Sequence, residues 1–103
     1  MAKIRQQGTE TTVREILNLI PSDSCVAVHF DVDVLDPSVC PHAYSPSKTG
    51  LDSAQAKEIL GGLLRDRRFE FLEVTELDAH KDAEGNSTEA VIDLLVSSWM
   101  AEL

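Results

Sequence analysis

The sequence predicts an α/β fold in which a short, mostly parallel sheet is flanked by helices. A β-branched, apolar run over 25–30 and an alternating run over 69–75 predict two strands. A long polar loop and a helical pattern lie between them, and such strand–helix–strand crossovers are nearly always right-handed with parallel strands. With 103 residues, we expect one small domain rather than two.

Apolar residues at helical spacing predict a short amphipathic helix before the first strand, and Pro21 stops it. They are Val13, Ile16, Leu17 and Ile20. The strand over 25–30 is so continuously apolar that we expect both of its faces to be covered, with His29 as a core residue. The segment 36–51 is rich in proline, serine and glycine and predicts a long loop, which in compact domains tends to be functional.

Two further helices are predicted after the first strand. Asp52 predicts an N-cap with Gln55 three residues later, which is the pattern of a capping box. The helix that follows contains Gly61–Gly62, so we expect either fraying or a close neighbour at that point. A third helix is predicted over 88–100, with Trp99 and its leucines in the core.

Composition and charge restrict the function. The formal net charge of −9 disfavours binding to nucleic acid or to an anionic membrane and favours binding of cations. No apolar run approaches the length of a membrane-spanning helix and no signal peptide opens the chain, so we expect a cytoplasmic protein. Cys25 and Cys40 form no CxxC pair and are expected to be reduced thiols, with Cys25 buried in its strand.

Carboxylates follow both predicted strands. Asp31 and Asp33 come at the end of the first strand, two residues apart, so on an extended backbone their side chains would point to one face. Carboxylates this close repel each other unless a cation or a proton intervenes. Glu76 comes at the end of the second strand. Because ligands bind at the carboxyl ends of parallel strands, we expect these residues to converge on one crevice that holds a divalent metal.

The residues around the aspartates resemble a known family signature. The run Phe30–Ser38 reads FDVDVLDPS and is similar to the SFDxDxxDPS motif of the ureohydrolases, the superfamily of arginase, agmatinase and formimidoylglutamase. The resemblance continues through a loop that keeps the family's Pro41, Pro46, Gly50 and Leu51. It is strongest over 25–102 and implies that residues 1–103 form one partial domain, the C-terminal portion of an arginase-like three-layer α/β/α fold.

This resemblance implies a manganese-dependent hydrolase of a linear guanidino or formimino substrate. In the family two Mn²⁺ ions are bound, and the residue matching Asp31 bridges both while the residue matching Asp33 binds one. Glu76 would be the catalytic and substrate-binding residue that holds the guanidinium, and Ser45 matches a threonine of the substrate loop. Oxygen ligands suit manganese better than copper or zinc, and a bound metal makes hydroxide available near neutral pH.

Part of the family's site lies outside this sequence. The earlier GGDH and DAHxD motifs, which supply the remaining metal ligands, have no counterpart at the expected place. We therefore expect the isolated chain to be inactive, with a small guanidino substrate and a homo-oligomer or a complementary N-terminal chain as partners. The run DAHKD at 78–82 spells the second motif, but it follows Glu76 instead of preceding the aspartates, so we interpret it as a coincidence.

Two alternative functions fit parts of the same pattern. A haloacid-dehalogenase-like magnesium phosphotransferase also places Asp-x-Asp after an apolar strand, but that family requires Thr or Val where Leu35 stands and has no use for Asp36–Pro37. A non-catalytic remnant or assembly piece would keep the fold without turnover, and its exposed sheet edges would favour pairing with another chain. Metal-dependent turnover distinguishes the enzyme from the remnant, and a phosphatase assay distinguishes the two enzymes.

Overall fold

The computed structural model describes residues 2–43, 49–78 and 80–100, and this part of the chain forms four α-helices and two strands. In chain order they are α1 (Ala2–Gln7), α2 (Thr9–Leu19), β1 (Val26–Asp31), α3 (Ser53–Leu64), β2 (Phe69–Thr75) and α4 (Asn86–Trp99). The predicted α/β class is confirmed, and α1 has no counterpart among the elements predicted from the sequence. Within these described ranges, no helix is both long and apolar enough to cross a membrane.

The two strands form a parallel pair, as the crossover pattern predicts. Val28 lies opposite Leu72 in this register, and Asp31 lies opposite Thr75. The carboxyl ends of β1 and β2 therefore lie side by side at one end of the sheet.

The core lies on one face of this sheet. Phe30 of β1 packs there with Leu60 of α3 and Leu94 of α4, and all of them are buried. Leu72 and Val74 of β2 pack against the same cluster. The strand side chains that point to this face therefore make the apolar contacts between the sheet and the helices.

The described residues leave the opposite face of the sheet uncovered. Ala27 and His29 are exposed on β1, and Phe71 of β2 is 60% exposed. The expectation that both faces of β1 are covered, with His29 in the core, is therefore wrong for this chain, because the helices that pack on the sheet lie on the other side. Cys25, expected to be buried, is exposed and donates a hydrogen bond to Glu70 that raises the pKa of its thiol.

Helix α3 begins with the predicted capping box and packs closely on α2. The Asp52 carboxylate accepts a hydrogen bond from the backbone N–H of Gln55 at 2.8 Å, and the Gln55 side chain accepts one from the N–H of Asp52 at 3.0 Å. A Cβ at Gly62 would lie 2.9 Å from Cγ1 of Val13. Of the two expectations for the glycine pair, the close neighbour is therefore the correct one.

The end of α4 is more exposed than its apolar sequence predicts. Val91 and Leu94 of this helix are buried. Trp99 is 51% exposed, and Val96 and Met100 are exposed to a similar degree. The predicted core position of Trp99 is therefore wrong, because no described element covers this end of the helix.

Arg68 joins the turn between α3 and β2 to the end of α2. Its guanidinium donates two hydrogen bonds to the Asp66 carboxylate, Nε to Oδ1 at 2.8 Å and Nη2 to Oδ2 at 2.9 Å. It also donates to the backbone carbonyls of Leu17 and Ile20. The bonds from Arg68 lower the pKa of Asp66 to about 2. The last carbonyls of α2 thus gain partners that the helix itself does not provide.

Candidate metal and substrate site

The two candidate metal ligands lie where the chain turns out of the sheet. β1 ends at Asp31, and Val32–Val34 form a short 3₁₀ helix. Oδ1 of Asp31 accepts a hydrogen bond from the backbone N–H of Asp33 at 2.9 Å. The expectation that both aspartates lie on an extended backbone is therefore wrong, because the Asp31 carboxylate caps the turn that carries Asp33.

This turn is fixed by the core on one side and by the returning loop on the other. The side chain of Val32 is fully buried. Leu51 lies alongside the turn, where its N–H donates to the carbonyl of Val34 and its carbonyl accepts from the N–H of Asp36, both at 2.8 Å. The backbone around Asp33 is thus held from both directions.

Asp36, the next carboxylate of the run, is used by the loop itself. Its Oδ1 accepts hydrogen bonds from the backbone N–H of Ser38 at 2.9 Å and from the Ser38 hydroxyl at 2.8 Å. These bonds lower the pKa of Asp36. Its carboxylate therefore stabilises the turn that follows the two site aspartates.

Glu76 follows β2 at the same end of the sheet. The register pairs Asp31 with Thr75, so Glu76 lies one residue beyond this pair. It has a φ of 72°, and among the described residues no other non-glycine residue has a positive φ. Strained backbone of this kind is concentrated at functional sites. The sequence does not predict this left-handed backbone at Glu76, because such positions are usually occupied by glycine rather than glutamate.

The structure therefore brings the predicted acidic residues to one edge of the sheet. Asp31 and Asp33 are joined directly by a hydrogen bond, and Glu76 follows the neighbouring strand. Within residues 2–43, 49–78 and 80–100, no three or more His, Cys, Asp and Glu side chains are grouped so that they could hold a metal ion. The common edge is observed, and a single crevice lined by all three residues stays a prediction.

Ser45 lies outside the described residues, as does the rest of 44–48. The described end of its loop is fixed close to the site. Ala43 forms an antiparallel bridge with Leu77, the residue after Glu76. The loop that carries Ser45 therefore begins beside the end of β2.

The described residues of the DAHKD segment, Asp78 and 80–82, lie in no strand, and they lead toward α4. Oδ1 of Asp78 accepts a hydrogen bond from the backbone N–H of His80 at 3.1 Å. Asp82 is buried and accepts from both the hydroxyl and the N–H of Thr88, at 2.6 and 2.8 Å, which lowers the pKa of Asp82. Both aspartates are thus used by the turn and the start of α4, which supports the interpretation of this motif as a coincidence.

A parallel strand pair with an aspartate turn at its carboxyl end is an α/β arrangement that fits the ureohydrolase resemblance of the sequence. The family model described as "Arginase family" matches residues 1–101, nearly the whole sequence. The chain belongs to the arginase family. This membership confirms the resemblance seen in the sequence and removes the haloacid-dehalogenase-like alternative.

Individual relatives come from several branches of this superfamily. An agmatinase from Chromobacterium violaceum is 40% identical over 60 residues, which cover 58% of this chain and 18% of that protein. The crystal structure of arginase from Bacillus subtilis subsp. subtilis str. 168 matches with a TM-score of 0.84 and 19% identity, over 95% of this chain and 34% of that chain. The crystal structure of Trypanosoma cruzi formiminoglutamase with Mn²⁺ matches with a TM-score of 0.82 and 18% identity, over 95% and 33%.

These solved structures share the fold of this chain. The chain spans about a third of the length of each of them. The chain therefore matches one part of each of these longer proteins.

Proposed function

We propose that this chain carries part of the active site of a manganese-dependent hydrolase that cleaves a linear guanidino or formimino substrate. The main support is the register that pairs Asp31 with Thr75, because it puts Asp33 and Glu76 at the same edge of the sheet. This edge is where α/β proteins with parallel strands bind their ligands. Residues 1–103 would then be one partial domain of the enzyme.

Asp31 and Asp33 are the proposed metal ligands. Their carboxylate oxygens suit Mn²⁺, and the formiminoglutamase of Trypanosoma cruzi has been solved with this ion. The described residues form no group of three such ligands, so the two aspartates fit only part of a binuclear site and residues outside this chain would complete it. When bound, the metal would act as a Lewis acid toward the substrate.

Glu76 is the proposed anchor for the substrate. Guanidinium and amidinium groups are planar cations, and a carboxylate can accept two of their N–H donors side by side. The backbone at Glu76 is held between β2 and the bridge from Leu77 to Ala43, which favours a fixed direction for its side chain. Ser45, in the loop that continues from Ala43, is proposed as a second substrate contact.

The isolated chain is expected to be inactive, because two carboxylates do not complete the proposed binuclear centre. The missing ligands would come from the rest of the domain, either on the same polypeptide or on a complementary chain. A homo-oligomer of this chain alone would repeat Asp31 and Asp33 and would not supply the family's earlier GGDH and DAHxD motifs. Cys25 and Cys40 are unpaired thiols, which supports a cytoplasmic location.

Calorimetric titration with Mn²⁺ tests the metal part of this proposal. The wild-type chain should bind Mn²⁺, and Asp31→Asn and Asp33→Asn should each weaken binding by about tenfold or more, since each removes a charged ligand. Asp31→Asn keeps an oxygen that can accept the Asp33 N–H, so the turn should be retained. Asp93→Asn removes an exposed carboxylate of α4 and serves as the matched control, which should bind like the wild type.

Diffuse attraction must be separated from site binding in this titration, because a chain with a net charge of −9 attracts any cation. The titration is therefore made at about 0.15 M salt, where the Debye length is about 8 Å. No binding by the wild type at millimolar Mn²⁺, or an equal loss in Asp93→Asn, would contradict the proposal. The non-catalytic remnant would then be the better description of the chain.

A further inference from the structure

Arg5, in the last turn of α1, is hydrogen-bonded to the end of the long loop. Its Nη2 donates to the backbone carbonyl of Gly50 at 3.2 Å and also to that of Thr49. Gly50 is buried, and a buried backbone carbonyl needs a hydrogen-bond partner. Hydrogen bonds from a charged donor are roughly twice as strong as neutral ones. A single guanidinium therefore holds two successive residues that lie 44 and 45 positions further along the chain.

The residues that Arg5 holds lead directly into the aspartate turn, the segment 31–36. Leu51 follows Gly50, and both its N–H and its carbonyl form hydrogen bonds with the backbone of this turn at 2.8 Å. The two bonds lie on either side of Leu35, with which Leu51 forms a parallel bridge. A shift of the loop at Gly50 would therefore be transmitted to the turn.

The charge of Arg5 also reaches the aspartate turn. The pKa of Asp36 is lowered mainly by its hydrogen bonds from Ser38, and the positive charge of Arg5 lowers it further. The guanidinium thus lies close to the turn itself and not only to the loop that returns against it.

Helix α1 is held in place by the core. Ile4, next to Arg5, packs against the core cluster and borders the same apolar pocket as Leu51. A helix of six residues is too short to be stable on its own. The apolar contact of Ile4 and the hydrogen bonds of Arg5 therefore fix α1 and the loop relative to each other.

We propose that Arg5 is a positioning residue of the candidate site, which holds the aspartate turn through the carbonyls of Thr49 and Gly50 and thereby sets how well Asp33 binds a metal. The role in metal binding rests on the proposed function, whereas the hold on the turn does not. A cation near the site repels a divalent metal. Any gain in metal affinity from Arg5 must therefore come from the geometry that it gives to the turn.

Amide hydrogen exchange of the full chain tests the hold on the turn. Arg5→Ala should speed the exchange of the Leu51 and Asp36 N–H groups by about tenfold or more, because the loop that forms these bonds loses its support. The N–H of Leu60, in the middle of α3, should exchange within about twofold of the wild-type rate, since the opening is local.

Arg14→Ala is the matched control for this variant. Arg14 lies on α2, and its ion pair with Glu10 is exposed at 3.4 Å. Exposed pairs of this kind contribute little to stability. The control removes the same side chain and the same charge as Arg5→Ala, and its amides should exchange like those of the wild type.

Calorimetric titration with Mn²⁺ tests the role in metal binding. Loss of one positive charge alone should leave the affinity unchanged or raise it, whereas loss of positioning should lower it by about threefold or more. Only Arg5→Ala should therefore bind Mn²⁺ more weakly, and Arg14→Ala should not. In an Asp33→Asn background, Arg5→Ala should cause no further loss, because its effect passes through Asp33.

The outcomes separate positioning from general stability. Unchanged exchange at Leu51 and Asp36 in Arg5→Ala would overturn the proposal. Equal acceleration at Leu60 would also overturn it, because Arg5 would then only stabilise the whole fold. Faster exchange at the turn with Mn²⁺ binding as tight as in the wild type would show that the hold on the turn does not set metal affinity, which would overturn it as well.

The proposed function can fail separately in this design. If the wild type itself binds no Mn²⁺, the proposed function is contradicted, and the exchange rates of Leu51 and Asp36 still decide whether Arg5 holds the turn. Faster exchange together with weaker Mn²⁺ binding in Arg5→Ala, and neither change in Arg14→Ala, would support both.

Discussion

Gly50 is the residue at which the long loop returns against the aspartate turn. A Cβ at this position would lie 2.5 Å from the carbonyl carbon of Leu35 and 2.6 Å from the backbone nitrogen of Asp36. These neighbours are backbone atoms, which cannot move aside as the end of a side chain can. The close approach therefore requires glycine, and the same approach fixes the turn that carries Asp33.

We expect Gly50→Ala to lower the free energy of unfolding by about 1–3 kcal/mol, the usual cost of overpacking. Gly62→Ala should cost less, because its nearest neighbour is the side chain of Val13, which can shift. Gly61→Ala is the matched control, since its Cβ would meet no atom closer than 3.5 Å, and it should be neutral or stabilise α3 by up to about 1 kcal/mol. Urea denaturation measures this order, and equal stability of Gly50→Ala and Gly61→Ala would contradict it.

Glu76 combines backbone strain with the proposed substrate contact. A left-handed conformation costs a non-glycine residue about 1–2 kcal/mol. Substitution by glycine removes this cost but also raises the conformational entropy of the unfolded chain, which offsets part of the gain in stability. With a φ of 72°, Glu76→Gly should therefore raise the free energy of unfolding by up to about 1 kcal/mol while removing the substrate anchor. Glu73→Gly, within β2, should destabilise instead. Thermal unfolding of both variants provides the comparison, and a loss of stability in Glu76→Gly would disprove the strain argument.

At the scale of elements, the Asp66–Arg68 pair links the start of β2 to the end of α2 and makes stability depend on pH. The pKa of Asp66 falls from 3.8 to about 2 on folding. A carboxyl group whose pKa is lowered by folding stabilises the protein above its unfolded pKa, and this contribution is lost as the pH falls toward the folded pKa. The stability difference between wild type and Asp66→Asn should thus be nearly complete above about pH 5 and be lost as the pH falls through about 2.

Urea midpoints of wild type and Asp66→Asn across this acidic range measure the effect. Asp93→Asn, on the exposed side of α4, controls for the removal of one negative charge. A difference between wild type and Asp66→Asn that stays constant with pH would mean that the pair with Arg68 does not set the pKa of Asp66.

The helices and strands were mostly predictable because their signals are local. The capping box at Asp52 marks the start of α3, and β2 was predicted with its observed bounds. Helix α1 was missed because six residues carry too little periodicity to indicate a helix. The 3₁₀ helix after β1 was missed because a single hydrogen bond, from the Asp33 N–H to Asp31, decides between extended and turned backbone.

The site shows the same division between local and non-local causes. Asp31, Asp33 and Glu76 could be named from their positions after two apolar strands and from the ureohydrolase resemblance. The left-handed backbone of Glu76 could not, because it depends on how the chain leaves β2 and meets Ala43 through Leu77. Contacts of this kind join segments that lie far apart in the sequence and leave no local pattern.

At the scale of the whole molecule, the open face of the sheet explains the main error of prediction. The continuous hydrophobicity of β1 is typical of a strand that is covered on both sides. In this chain the helices cover one side, and Ala27 and Phe71 are exposed on the other. The apolar character of β1 thus fits the larger domain of the solved relatives better than it fits the described chain alone.

The charge of the whole chain gives a prediction that no single pair explains. There are 18 acidic and 9 basic residues, so self-repulsion opposes the compact state. Raising NaCl from about 0.01 M to about 0.15 M shortens the Debye length from about 30 Å to about 8 Å and should raise Tm. An uncharged osmolyte at equal osmolality is the control. A fall of Tm with salt would show that attractive ion pairs outweigh the repulsion.

The pairing of β1 with β2 also imposes a delay during synthesis. Val26 and Phe69, which pair at the start of the two strands, lie about forty positions apart. At about 5–20 residues per second, β1 is made roughly 2–8 s before its partner strand. Its apolar side chains are vulnerable to association with other nascent chains in that interval. Ile16 of α2 is synthesised earlier and borders the same apolar pocket as Val28, but α3, which also lines that pocket, follows β1 in the chain. The aspartate-bearing strand therefore stays uncovered until both α3 and β2 have been made.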